Sequence, residues 1–266
     1  MGNAENASFE EQHAAWHAGI EAWRSGPHGP LSVVGLHWLD ETPKALPGVP
    51  GLWSASPELL TTAVFEASDG VARDGEPLVG AITVGPLKGI EAELLEWGEK
   101  RIQVAARSER IAVRPIDPAA ELRAEYDSTA TFPPNQTWVV PARFEADPRE
   151  AVQVDTIIDG MVQYYDSPGR AHFEIDGEPY SLTLFGTAEA TDLMIHFTDP
   201  TSRDLTYPAV RWVRAQRDGD AVTIDFNRAM NPPCAYSENA TCPLAPPENR
   251  LPFRVEAGEL RPGVTV

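Results

Sequence analysis

The stretch VQVDTIIDGMVQYYDSPGRAHFEIDGEPYSLTLFGTAEATDLMIHFTD (residues 152–199) decides the fold class. It holds five runs, VQVDTII, MVQYYDS, AHFEIDG, YSLTLFGT and LMIHFTD, rich in Val, Ile, Tyr, Phe and Thr. Those residue types favour the pleated, half-buried surface of a strand. Asp159-Gly160, Pro168-Gly169 and Asp176-Gly177 punctuate the runs as turns. VRWVRAQ (210–216) and AVTIDFN (221–227) continue the habit across Asp218-Gly219. Strands at this spacing, with no helix between them, predict an antiparallel sandwich or barrel.

Upstream the texture is similar. LLTTAVFEA (59–67), LVGAITVG (78–85), AELLEWG (92–98), RIQVAARS (101–108) and RIAVRPID (110–117) read as a β-meander, with turns at Asp69-Gly70 and Asp74-Gly75. Asp117-Pro118 starts a turn or one helical turn. WVVPARF (138–144) is a further strand, and Pro141 suggests an edge or a bulge there, since proline cannot donate to a ladder. LSVVGLHWL (31–39) is a buried segment that periodicity alone leaves open between strand and short helix.

The one helix expected is SFEEQHAAWHAGIEAWR (8–24). Ser8 and Glu11 have the spacing of a capping box, and Gly26-Pro27 stops the helix. Phe9, Trp16, Ile20 and Trp23 recur on one face. The fold class is therefore mainly β: an N-terminal helix, two antiparallel sandwich- or barrel-like halves, and a proline-rich C-terminal loop. The expected divisions are 1–40 for the helix and buried segment, 41–125 for a first, small sandwich, and 126–266 for a second β-region.

The loop is NPPCAYSENATCPLAPPENRLP (231–252), with six prolines. Proline stiffens it and forbids helix; irregular loops of this length are usually functional or disordered, and its Cys, Tyr and Leu residues disfavour disorder. FRVEAGEL (253–260) then reads as a closing strand.

Composition narrows the function classes. The 266 residues carry 21 Lys+Arg against 40 Asp+Glu, a formal charge of −19. That charge repels phosphate backbones, and no basic cluster offsets it, so no nucleic-acid partner is expected. No apolar run approaches a membrane span, and the first seventeen residues lack the basic and apolar regions of a secretory leader. The expectation is a cytoplasmic monomer or homodimer without a membrane partner. G-x-S-x-G, G-x-G-x-x-G, Walker A and H-E-x-x-H motifs are absent, which lowers the common hydrolase, nucleotide and zinc-protease readings.

Several residues carry candidate chemistry. Cys234 and Cys242 are the only cysteines, and their spacing is poor for a zinc knuckle. Packing, a disulfide or redox pair, and catalysis or metal binding are the roles open to them. His13 and His17 lie four apart on the helix and could chelate a metal, but a solvated face is the simpler reading, and no metal-ligating set is assigned. His37 sits in an apolar run and either hydrogen-bonds in the core or acts as a base, a role for which His196 competes. Asn231, Tyr236, Glu248 and Asn249 are polar groups on the stiff loop. Arg211, in a strand-like run, must pair with a carboxylate, Asp199 or Asp225, or meet an anionic ligand.

Asp225-Phe226-Asn227-Arg228-Ala229, Asn231-Pro232-Pro233-Cys234-Ala235-Tyr236, Cys242-Pro243-Leu244, Pro247-Glu248-Asn249 and Glu256-Ala257-Gly258-Glu259 form a signature. With Leu31–Leu39, Phe197-x-Asp199-x-Thr201, Thr206-Tyr207 and Arg211, it resembles a bacterial and archaeal family numbered 1684 among the domains of unknown function. Val210 stands where that pattern has glycine, Met230 where it has tyrosine, and Ala245 where it has proline. The resemblance implies no activity. The reading of the residues is an enzyme acting on a small molecule in a pocket under the 231–252 loop. Cys234, His37 and Glu248 would be its catalytic groups, and Arg211, Asn231, Tyr236 and Asn249 would bind the ligand and an anionic group on it. The alternatives are a non-catalytic small-ligand or metal-binding protein, or an interaction domain. No cofactor is identified.

Overall fold

The computed structural model describes residues 7–266; part of the leader reading rests on residues 1–6, which lie outside them. The chain divides into two compact units. One takes the described residues up to Ala22 together with Ser128–Tyr236 and Cys242–Val266; the other takes Trp23–Asp127 and Ser237–Thr241. The mainly β, antiparallel fold class holds in both.

The first unit is built on six antiparallel strands. In sheet order they are Glu178–Leu184, Val162–Ile175, Val139–Asp155, Ala221–Asp225, Arg211–Asp218 and Asp192–Phe197. The two edge strands meet just beyond Leu184: Phe185 N donates to Met194 O at 2.8 Å, and Met194 N to Phe185 O at 2.9 Å. The sheet thus closes on itself, which removes the unpaired edges an open sheet would expose. Inside are Phe173, Leu184, Ile195, Phe197, Val213 and Phe226. The Phe226 and Phe197 rings meet edge-on at 5.4 Å, a favoured aromatic geometry.

Three details of the strands and turns differ from the sequence reading. Pro168-Gly169 is not a turn; the strand Val162–Ile175 runs straight through it. A Cβ at position 169 would stand 2.1 Å from the Glu145 carbonyl, so glycine is what lets the neighbouring backbone approach. Pro141 sits in a central strand opposite Thr223, and the register shifts fall further along, between Ala146 and Val152. Residues 253–260 form no ladder strand: Val255 and Ala257 carbonyls accept from Arg211, Val255 N donates to Asp199, and Glu259 joins Thr131 only in an isolated bridge.

The helix Phe9–Arg24 carries its capping box: Glu11 N donates to Ser8 Oγ at 3.2 Å, and Ser8 N to Glu11 Oε2 at 2.6 Å. Its inward face is rotated from the expected one. Trp23 is exposed, whereas His13 is buried with Nε2 3.1 Å from the Asn227 carbonyl. Burial holds the His13 pKa below the ordinary histidine value.

The second unit is a sandwich. A four-stranded sheet runs in the order Lys44–Leu46, Val49–Ala55, Thr61–Phe65, Gly80–Val84; a six-stranded sheet is centred on Ala92–Trp97, Lys100–Arg107 and Arg110–Ile116. One apolar cluster draws Trp53 and Phe65 from the first sheet and Leu95, Ile102 and Val113 from the second. Asp74-Gly75 makes a turn with φ of 52° and 81° at its two residues, the positive pair a tight hairpin demands. LSVVGLHWL resolves into a single helical turn at Pro30–Ser32 and the short strand His37–Trp38. No helix among the described residues is long and apolar enough to cross a membrane.

Candidate functional site

The proline-rich loop is bound to the barrel unit through backbone and side chain. Leu244 N donates to Asp155 O at 2.7 Å, Thr198 N to Asn249 O at 3.2 Å, and Leu251 N to Thr198 O at 2.8 Å. Asn249 has no exposed surface. Its Oδ1 accepts from Thr183 N at 2.7 Å, and its Nδ2 donates to Thr183 O at 3.0 Å and His196 O at 2.9 Å. Thr183 and His196 belong to the two edge strands, so the Asn249 amide acts as a substitute peptide group across the barrel seam. It satisfies buried backbone groups that would otherwise lie unpaired. His196 itself is enclosed by the rings of Tyr165, Phe185 and Trp212, and burial pushes its pKa down to about 3.

Arg211 is likewise fully buried. Nη2 donates to Asp199 Oδ1 at 2.7 Å and to Val255 O at 3.1 Å, and Nη1 donates to Ala257 O at 2.7 Å. The guanidinium also lies 4.7 Å from the Phe197 ring centroid. Burial lowers the Arg211 pKa, with Asp199 working against that shift. The remaining lone pairs of Asp199 accept from Thr201 Oγ1 at 2.8 Å, Thr201 N at 3.1 Å and Val255 N at 2.7 Å. Thr201 and Thr206 share a hydroxyl contact at 2.9 Å. Of the two partners open to Arg211, the structure supplies the carboxylate Asp199. Neither Arg211 nor Asn249 presents a donor to solvent, since both side chains are fully buried.

Beside this knot, the segments 198–209 and 244–252 enclose a cleft of about 640 Å³. Its charged lining consists of Arg203, Arg250 and Asp199. Asp199 is already neutralised by Arg211. Arg203 and Arg250 are exposed, and their side chains have no carboxylate, hydrogen-bond or ring partner among the described residues. The Ser202 hydroxyl is buried at the same wall without a partner.

Asn231 and Tyr236 come together elsewhere in the barrel unit. Asn231 N donates to Glu259 Oε2 at 2.7 Å; its Nδ2 donates to Leu260 O at 2.7 Å and to Tyr236 Oη at 3.2 Å. The Tyr236 and Thr129 hydroxyls are 2.7 Å apart. Glu259 is fully buried, and its Oε1 lies 3.8 Å from His17 Nε2, which is 3.4 Å from Glu21 Oε1. His17, Glu21 and Glu259 offer donor atoms within 4.8 Å of one another and are the residues that could hold a divalent cation.

The expected catalytic trio is placed on three separate features. Cys234 is half-buried on the loop beside Cys242. Glu248 accepts from Thr183 Oγ1 at 3.5 Å and lies 4.0 Å from Arg149. His37 belongs to the sandwich unit, where burial lowers its pKa. None of the three lines the cleft. Residue-type reasoning passed over Arg203 and Arg250. Both flank signature motifs in a chain short of cations, but Asp199 lies four residues before Arg203 and Glu248 two before Arg250, so nothing local marked either arginine as unpaired. Glu21 stands four residues after His17 on the helix, a local spacing, whereas Glu259 carried no local signal, because its meeting with His17 spans most of the chain.

No curated protein matches the chain. An uncharacterised protein of Haloarcula marismortui, solved by solution NMR, is 31% identical over 52% of this chain and 78% of its own, with a TM-score of 0.43. The family model described as "Protein of unknown function (DUF1684)" matches residues 124–260, and the chain belongs to that family.

Proposed function

We propose that the barrel unit binds a small anionic molecule, a carboxylate or phosphate ester, in the cleft beneath the proline-rich loop. The observation that carries this reading is the pair Arg203 and Arg250, unpartnered at one cleft in a chain of −19 net charge. Acids outnumber bases almost two to one, so an arginine without a carboxylate is unusual here. A guanidinium presents a planar fork that fits carboxylate and phosphate oxygens in pairs. The volume suits a metabolite-sized ligand. The Ser202 hydroxyl supplies a further donor at the wall. With Cys234, His37 and Glu248 away from the lining, the cleft holds no nucleophile–base pair from that set, and binding without catalysis is the reading that fits.

Calorimetric titration and thermal melting with citrate, malate and a sugar phosphate, each against matched chloride, test the proposal. At least one of these anions should raise the melting temperature. In Arg203→Ala/Arg250→Ala the ligand-free melting temperature should hold while the response disappears. An equal response in wild type and double variant, or no response in either, would overturn it.

A further inference from the structure

The two thiols stand outside both the cleft and the barrel knot. Cys234 lies in the single helical turn Pro233–Ala235 and is half-buried; Cys242 is buried. The backbone N–H of Cys234 donates to Cys242 Sγ at 3.3 Å. Contact between the two side chains is the largest influence on the Cys234 thiol and holds its pKa below the ordinary cysteine value, with the Tyr207 side chain adding to the effect. Tyr207 Oη donates to the Cys234 carbonyl at 3.0 Å, and burial raises the Tyr207 pKa, so the phenol stays protonated beside the sulfur. Pro233 precedes one cysteine and Pro243 follows the other. The loop is thereby stiff at both sulfurs, and with the Cys242 sulfur already against the Cys234 backbone N–H, little more than side-chain rotation is needed to reach bonding geometry.

We propose that Cys234 and Cys242 form a peroxide-reactive thiol pair, with Cys234 as the attacking sulfur and Cys242 as the resolving one. The accessible member attacks because a hydroperoxide must reach it, and the buried member waits behind it. The Cys234 thiolate attacks one peroxide oxygen, the O–O bond breaks, and the departing oxygen leaves as water or alcohol after taking a proton. Cys234 is then a sulfenic acid. Cys242 sulfur attacks that sulfur, the S–O bond breaks, and the Cys242 thiol proton leaves with the hydroxyl as water while the disulfide forms. Two electrons pass from the two sulfurs to one peroxide, and a small thiol restores the pair by exchange. This inference stands independently of anion binding in the cleft.

The test uses the full chain, reduced, desalted and exposed to sub-millimolar hydrogen peroxide, followed by peptide mapping without reductant. An intramolecular Cys234–Cys242 peptide lighter by two hydrogens, lost on adding dithiothreitol, is the expected result. Before oxidation, iodoacetamide should label Cys234 about tenfold faster than Cys242. In Cys242→Ser the oxidation should stop at a sulfenic acid on Cys234 that dimedone captures. Two fully alkylatable thiols after peroxide, disulfides only between molecules, or faster labelling of Cys242 would each overturn the proposal. The wild-type mapping and labelling decide it even where the variant fails to fold.

Discussion

Arg211 is sealed inside the barrel unit against one carboxylate and two carbonyls, whereas Arg203 and Arg250 stand at the open cleft with no partner among the described residues. The two situations are neighbours in the fold, and Asp199 belongs to both: it pairs with Arg211 and lines the cleft. A buried guanidinium loses its hydration and is tolerable only because Asp199 and the backbone replace it. An exposed guanidinium keeps its water, costs the fold almost nothing, and remains available to an outside anion. The same residue type therefore serves stability in one place and recognition in the other, and the deciding variable is solvent access.

The sharpest way to break this contrast is to remove the buried arginine. Arg211→Ala should lose about 3–5 kcal/mol of stability, because Asp199 would be left as a buried charge without its cation. Urea unfolding measures this, and a loss under about 1 kcal/mol would place Arg211 with the exposed arginines instead. Next in size is the seam. Asn249→Ala leaves Thr183 N–H and two carbonyls without their partner, and should cost about 2–4 kcal/mol by the same assay. Retention of wild-type stability would mean the barrel closes through Phe185 and Met194 alone.

Taken per pH unit, the pH dependence of the sealed interior is a smaller effect. His196 is held neutral, its pKa down from 6.5 to about 3. The unfolded chain takes up a proton in that window while the folded one does not. The contribution is therefore fully present above pH 6.5 and is lost as pH falls towards 3, by about 1.4 kcal/mol per pH unit. His196→Phe, placed among the surrounding rings, should flatten the stability profile over that range relative to wild type. An unchanged slope would show that the histidine is not sealed.

The smallest expected stability effect belongs to the cleft. Arg203→Ala and Arg250→Ala should each change unfolding stability by less than about 0.5 kcal/mol. A loss comparable to that of Arg211→Ala would erase the distinction between the two kinds of arginine.

Much of the architecture was legible in the residues. The capping box at Ser8 and Glu11, the turns at Asp74-Gly75 and Asp176-Gly177, and the strand runs all depend on neighbours within a few positions. The same local reading misjudged Pro168-Gly169, because the need for glycine there comes from the Glu145 carbonyl on the paired strand. It named Asp199 among the partners open to Arg211, since the two are close in sequence. It singled out Asn249 as a polar loop residue but not its role, which requires Thr183 and His196 to be brought side by side first. Arg203 and Arg250 were overlooked for the converse reason: nothing local distinguishes a cation that will find a partner from one that will not.

By itself the sequence determined the β-rich class, the single capped helix, the stiff loop and the family signature, since backbone preference, turn chemistry and proline geometry act over a few bonds. Only the tertiary structure decided that the six-stranded sheet closes at Phe185–Met194, that Arg211 is spent on Asp199, and that Cys234 meets Cys242. Those outcomes depend on burial and on distances between segments far apart in the chain. Desolvation and charge pairing respond to where a group ends up, and the type of residue alone does not contain that information.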